Sequence, residues 1–186
     1  MNRFFDISFS LACLVLLTLP LVIIYSIVCI TSKGPALYWS SRFGKENLLF
    51  QMPKFRTMKQ KTPELASHLL GDPSLHYTSV GRYLRKYSID ELPQLYSIIK
   101  GDMSLVGPRP ALYNQTDLIE MRRNLGIHLL KPGITGWAQV NGRDSLSIEE
   151  KVQYDEEYLR RASMGFDIYI IWLTFIKVIK KDGISH

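Results

Sequence analysis

Residues 7–32, "ISFSLACLVLLTLPLVIIYSIVCITS", carry no charged side chain. As one helix these 26 residues would extend ~39 Å at ~1.5 Å per residue. That exceeds the ~30 Å of a bilayer's hydrocarbon core, so the stretch reads as a membrane segment. A secretory signal peptide fits less well. Its apolar region spans roughly 7–15 residues and ends at a small-residue cleavage site, whereas "KGPALYW" follows here. Pro20 sits near the middle of the segment. It lacks the N–H that would bond the Leu16 carbonyl, and its ring crowds that carbonyl. A kink or break is therefore expected, with the Thr18 hydroxyl placed to satisfy a freed backbone group. The helix either crosses the bilayer with a bend or turns at Pro20 and returns; periodicity leaves both open.

The remaining chain is basic. Before Lys33 the only charges are Arg3 and Asp6, which cancel, so the net charge of +6 belongs to residues 33–186. Lys33, Arg42, Lys45, Lys54, Arg56, Lys59 and Lys61 follow the apolar segment closely, and the positive-inside tendency puts that side in the cytoplasm. A basic face near a membrane suits anionic headgroups and phosphate-bearing ligands. Both cysteines, Cys13 and Cys29, lie inside the apolar segment, and His68, His76, His128 and His186 show no His-Glu-x-x-His spacing. That pattern offers no disulfide framework and argues against zinc chemistry.

The local pattern predicts an α+β fold with one small β-hairpin and a helical domain. Residues 36–56 read as two aromatic-rich strands around "GKEN", residues 60–77 as loop, and residues 78–86 as a helix capped by Thr78 or Ser79. A second helix is expected over residues 89–100, stopped by Gly101. "GDMSLVGPRP" and "KPGITGWAQVNGR" read as loops around predicted helices at 114–125 and 147–163. The closing "FDIYIIWLTFIKVIKK" has an apolar run too short to span a bilayer; it fits an interfacial helix or a core helix equally well.

"SIDELPQ", residues 88–94, sets Asp90 beside Glu91. Ser88 with Glu91 three residues later fits a capping box, with Pro93 comfortable at a first helical position. The surroundings favour chemistry. Arg85 lies just upstream, Arg109 is held between Pro108 and Pro110, Arg143 follows "VNG", and Lys54 and Arg56 sit in "KFRTM". Arginines on rigid backbone clamp phosphate oxygens, a helix start attracts phosphate, and a neighbouring carboxylate can hold Mg²⁺ with substrate phosphates. Together these point to phosphoryl transfer. No Walker A, kinase or dinucleotide fingerprint is present.

With the membrane segment, "KFRTM", "SIDELPQLYSIIKGDMSLVGPRP" and "KPGITGWAQVNGR" resemble the bacterial sugar transferase family, above all its small monotopic phosphoglycosyl transferases. The likeness runs from about residue 1 to about residue 183, in the same order and spacing. It implies transfer of a sugar-1-phosphate from a UDP-sugar to polyprenol (undecaprenyl) phosphate, with release of UMP, as the first membrane step of glycoconjugate assembly. It implies Asp90 as a nucleophile that forms a covalent aspartyl-phosphosugar, and Mg²⁺ held at the dyad through Asp90. Glu91 would position the metal or serve the second step. Arg85 and the Pro108–Arg109–Pro110 element match family phosphate or nucleotide contacts, with Arg143, Lys54 and Arg56 as further candidates. The family's anchor is a re-entrant helix broken at a Ser-Pro step. Here the step is Leu19-Pro20, with Thr18 offering the hydroxyl one residue earlier. The resemblance divides the chain into an anchor, residues 1–32, and a cytoplasmic catalytic domain, residues 33–186, at the inner membrane, with interfacial helices on phospholipid. It implies an N-acetylated or bacillosamine-type sugar and no nucleic-acid partner. A rival reading is a non-enzymatic, membrane-anchored basic domain that binds anionic lipid or nucleic acid.

Overall fold

The computed structural model describes residues 2–60, 62 and 73–180. Residues 61 and 63–72 of the expected loop lie outside the described residues, as do His68 and His186. The apolar segment forms one helix, α1 (Arg3–Thr31, 29 residues), started by the Asn2 side chain, which accepts from the Phe4 N–H at 3.1 Å. It is long and apolar enough to cross a membrane. α1 continues through Pro20 without interruption. Thr18 does not do what the sequence suggests. Its hydroxyl donates to the Leu14 carbonyl at 2.7 Å, not to the Leu16 carbonyl freed by the proline. A hydroxyl four residues on reaches back most easily to its own i−4 carbonyl, and Thr18 follows that geometry.

One face of α1 meets the body, buried towards its two ends and half-buried between them. Asp6, Ser10 and Val28 are buried, and Leu14, Leu21 and Ile24 pack between them against the body. The spacing is that of a single helical stripe. The other face, including Leu11, Leu16, Leu19 and Ile30, is exposed. Asp6 accepts from the Ser104 hydroxyl at 2.9 Å and the Leu105 N–H at 3.1 Å. Arg3 donates to the carbonyls of Ile98 and, at 2.6 Å, Ile99. These are among the last carbonyls of helix α3 (Leu95–Lys100), which attract cations; the Ile98 carbonyl also accepts from the Gly101 N–H at 3.1 Å. Two charges that cancel in the sequence thus fasten one end of α1, while Val28 packs with Ala36, Phe55 and Leu84 at the other.

The hairpin forms as expected: β1 (Leu37–Phe43) pairs antiparallel with β2 (Leu49–Phe55), Leu37 opposite Phe55 and Phe43 opposite Leu49. The two expected loops contain strands. β3 (Ser104–Val106) pairs parallel with β5 (Gly133–Thr135), and β4 (Ala111–Leu112) extends the hairpin beside β1. The β3–β5 joint depends on glycine. A Cβ on Gly133 would stand 2.2 Å from the Gly107 nitrogen, and one on Gly107 would stand 2.3 Å from the Lys131 oxygen. Only bare backbone permits that approach.

The remaining helices are α2 (Gly81–Lys86), α4 (Thr116–Asn124), α5 (Trp137–Asn141), α6 (Ile148–Arg161) and α7 (Met164–Lys180). α2 begins later than expected, although the Thr78 hydroxyl does accept from the Gly81 N–H at 3.0 Å. The expected helix over 89–100 is a 3₁₀ segment, Ile89–Gln94, running into α3, and Gly101 ends it in the left-handed region at φ 106°. The main core joins Phe50 and Met52 of β2, Leu95 and Ile98 of α3, Leu105 and Val106 of β3, and Phe166 and Ile170 of α7. α7 therefore has one core face, while Ile168, Trp172 and Phe175 remain exposed on the other. The core reading of that helix therefore holds for one of its faces.

Candidate active site

Asp90 and Glu91 sit in the 3₁₀ segment ahead of α3, and both are buried, at 6% and 7% exposure. The capping box expected at Ser88 is not there. Ser88 adopts left-handed backbone, φ 54°, and makes no capping bond. Its hydroxyl instead accepts from Arg143 at 3.0 Å, and Arg143 is itself left-handed, φ 54°. The reciprocal box occurs elsewhere, between Ser147 and Glu150 at the start of α6. The Ser88 pattern misleads because Glu91 finds charged partners from distant elements, and a charge-assisted bond outweighs a neutral cap.

Three cations converge on Glu91. Arg109 forms a forked contact at 2.7 and 3.4 Å, Lys54 of β2 donates at 3.0 Å, and Arg143 lies at 3.5 Å. Burial alone would push the Glu91 carboxyl up, but Arg109, Lys54 and Arg143 together hold it well below the usual carboxylate range. Burial pulls the Lys54 ammonium down to about 8, with Glu91 opposing. Asp90 behaves in the opposite way to its neighbour. Burial and the Glu91 charge push it up to about 6, against the lowering influence of Lys54, Arg85 and Arg143. Among the described residues no hydrogen bond or ion pair holds the Asp90 carboxylate. Two adjacent acids are thus driven apart, one fixed as an anion, the other titrating near neutrality. Such separation marks acids with different tasks.

The Pro108–Arg109–Pro110 segment is held by its backbone. The Pro108 carbonyl accepts from the Gly133 N–H at 3.0 Å, that of Arg109 from Arg122 at 2.8 Å, and that of Pro110 from Arg42 at 3.2 Å. Arg109 and Arg122 also line a small cleft with Asn47 and His128. Arg85, on α2, lies over the Tyr77 ring at 5.4 Å and adds positive field at Asp90. Arg56 is not brought to the dyad; it donates to the Pro35 carbonyl at 2.8 Å. Lys54 lies within β2 and reaches Glu91, whereas Arg56 lies one residue past the strand's end at Phe55. Sequence reasoning missed Arg122 and Arg42, which donate to backbone carbonyls of the Pro108–Arg109–Pro110 segment, and set aside Asp155, the partner of Arg122.

Among the described residues no group of three or more His, Cys, Asp or Glu side chains could hold a metal. Mg²⁺ needs less than that, since it commonly takes one or two carboxylates with substrate phosphates and water. The donor set here fits that pattern through Asp90 alone, because Glu91 is committed to cations.

The bacterial sugar transferase family model matches residues 1–181. The chain belongs to the bacterial sugar transferase family. It is 38% identical to the uncharacterized sugar transferase EpsL of Bacillus subtilis, over 100% of this chain and 91% of that protein. It is 34% identical to the undecaprenyl-phosphate galactose phosphotransferase of Salmonella typhimurium, over 98% of this chain and 41% of that protein. It is 37% identical to the UDP-glucose:undecaprenyl-phosphate glucose-1-phosphate transferase of Escherichia coli, over 88% and 38%. The chain spans about two fifths of the length of the two latter relatives. The matched region includes the dyad, the Pro-Arg-Pro segment and the apolar helix α1.

Proposed function

We propose that this family member transfers a sugar-1-phosphate from a UDP-sugar to undecaprenyl phosphate, as the first membrane step of glycoconjugate assembly. The observation that carries the reading is the unequal dyad: Glu91 neutralised by three cations, and Asp90 beside it, buried and held by no partner among the described residues. A carboxylate oxygen of Asp90 attacks the phosphorus that bears the sugar. The bond from that phosphorus to the bridging oxygen breaks, and UMP leaves with the oxygen. An oxygen of undecaprenyl phosphate then attacks the same phosphorus and regenerates the Asp90 carboxylate, giving a polyprenyl-diphosphate sugar. This is two-step covalent catalysis.

Arg109, Arg143 and Lys54 supply positive charge to the diphosphate, with Arg85 at the nucleophile. Glu91 organises those cations. Mg²⁺, held through Asp90 when bound, would neutralise charge on the diphosphate and the leaving UMP. The same reading makes residues 1–32 a re-entrant anchor and residues 33–186 the catalytic part, at the cytoplasmic face of the bacterial inner membrane. It is supported by α1 meeting one body at both ends, through Arg3 and Asp6 and through Val28. A helix standing across a bilayer would touch a cytoplasmic body at one end. The exposed apolar face of α7 suits contact with phospholipid.

The experiment supplies purified protein with Mg²⁺, undecaprenyl phosphate and a panel of UDP-sugars that includes glucose, galactose and N-acetylgalactosamine, and measures UMP. With donor alone, intact mass rises by one phosphosugar, and Asp90→Asn carries no adduct. Folded protein that releases UMP from no donor overturns the reading; an adduct on Asp90→Asn overturns the nucleophile.

A further inference from the structure

Arg109 reaches the dyad from a backbone that is itself held by a buried charge pair. One nitrogen of Arg122 donates to the Arg109 carbonyl at 2.8 Å. The other two donors of Arg122 meet a single oxygen of Asp155, at 2.9 and 2.6 Å. Arg122 comes from α4 and Asp155 from α6, and they are 8% and 1% exposed. An unbroken set of bonds therefore runs from α6 through α4 to the Arg109 backbone, and from the Arg109 guanidinium to Glu91.

A buried ion pair is weak evidence of stabilisation. Desolvation of both ions offsets much of their attraction, and well-packed apolar residues in their place are often as stable. Apolar residues would also suit the surrounding cluster of Ala111, Leu118, Ile127 and Val152. They could not supply the donor to the Arg109 carbonyl. That third bond distinguishes Arg122 from a residue that merely joins two helices. The neighbouring carbonyls, of Pro108 and Pro110, are held from other elements, so the middle carbonyl is the one that α4 and α6 control.

We propose that Arg122 and Asp155 are positioning residues for the transfer, setting where the Arg109 guanidinium stands against Glu91 and the donor diphosphate. The proposal rests on the transferase reading for its kinetic consequence and on the hydrogen bonds for its structural one. Phosphoryl transfer depends on placement, and a displacement of ~1 Å far from the chemistry can cost ~10²-fold. Arg122 touches no reacting atom in this scheme; it acts through Arg109.

The test uses full-length protein in detergent and two variants. Arg122→Met/Asp155→Leu removes both charges together, so neither ion is left buried alone. Arg122→Lys keeps the charge opposite Asp155, but one ammonium cannot span both Asp155 and the Arg109 carbonyl. Both variants keep a cooperative thermal transition. In both, hydrogen exchange of the peptide covering residues 107–113 is at least tenfold faster than in the native protein. UMP release shows kcat reduced at least tenfold, with KM for the donor within threefold. Native exchange at residues 107–113 in the folded variants overturns the structural half. Native kcat with faster exchange overturns the functional half and leaves the pair a helix tie. If the unmodified protein releases no UMP from any donor, the transferase reading falls, and the exchange result alone decides whether the pair holds the loop.

Discussion

Asp90→Asn is expected to make the protein more stable while removing the nucleophile. The folded environment lifts the Asp90 carboxyl from 3.8 to about 6, mainly by burial and by the charge on Glu91. A folded-state value raised in this way favours the native state below the unfolded value, and the benefit is lost as pH rises through the folded one. At pH 7.5 the native protein therefore carries the full cost of an ionised, buried Asp90. At 1.36 kcal/mol per pH unit that cost is about 3 kcal/mol. Asparagine resembles the neutral acid in size and polarity and avoids it. In metal-free buffer at pH 7.5, Asp90→Asn gains about 3 kcal/mol, which raises Tm by about 6–12 °C for a chain of this size. At pH 4.5, where native Asp90 is largely protonated, the gain shrinks to about 1 kcal/mol. Thermal unfolding of both proteins in detergent with EDTA, across pH 4.5–7.5, measures this. Equal Tm values at pH 7.5, or a gain that does not depend on pH, would refute the assignment of Asp90 as a strained carboxylate.

The neighbouring acid responds in the opposite direction. Glu91→Gln leaves Lys54, Arg109 and Arg143 without their shared anion, and chemical denaturation at pH 7.5 should show a loss of about 3 kcal/mol; because the Glu91 value is depressed, the loss diminishes as pH falls below the ordinary carboxylate range. Gly133→Ala forces a Cβ to within 2.2 Å of the Gly107 nitrogen and is expected to lower Tm by several degrees and to slow UMP release, whereas Gly165→Ala, which meets nothing within 4 Å, changes neither. Arg3→Ala removes the cation from the last carbonyls of α3; hydrogen exchange over residues 97–103 should accelerate, at a stability cost of about 2 kcal/mol.

What the sequence revealed was local. The β1–β2 hairpin, α4, α6 and the Gly101 stop follow from patterns within a few residues of themselves. The dyad and its cations were legible as residue types, but the sequence cast Lys54, Arg109 and Arg143 as phosphate or nucleotide contacts and did not foretell their convergence on Glu91. Three things were not legible. The pairing of β3 with β5 joins two glycine-bounded triplets nearly thirty residues apart, and neither triplet has enough alternation to announce a strand. Ser88 matched a capping signal because a pattern records spacing, while in the fold its backbone is left-handed and its hydroxyl accepts from Arg143 across the fold. Asp155 resembled a helix-surface acid because its burial depends on α4 lying beside α6. Arg56 illustrates the converse error. It shares a motif with Lys54, yet it lies just past the end of β2 and donates to the Pro35 carbonyl, and motif membership does not say where a strand ends.

The single stripe along α1 gives the helix a phase as well as a length. Asp6 is fastened to Ser104 and Leu105 and Val28 to the Phe55 cluster, so the intervening turns act as a rigid spacer between two sockets. Inserting one residue between them would rotate one socket's plug by ~100° and shift it by ~1.5 Å, and no change in hydrophobicity would restore the fit. A generic apolar helix of equal greasiness would enter the bilayer and still leave the body unlatched. Substitutions on the outward face should be tolerated freely, while insertions and deletions anywhere along it should not.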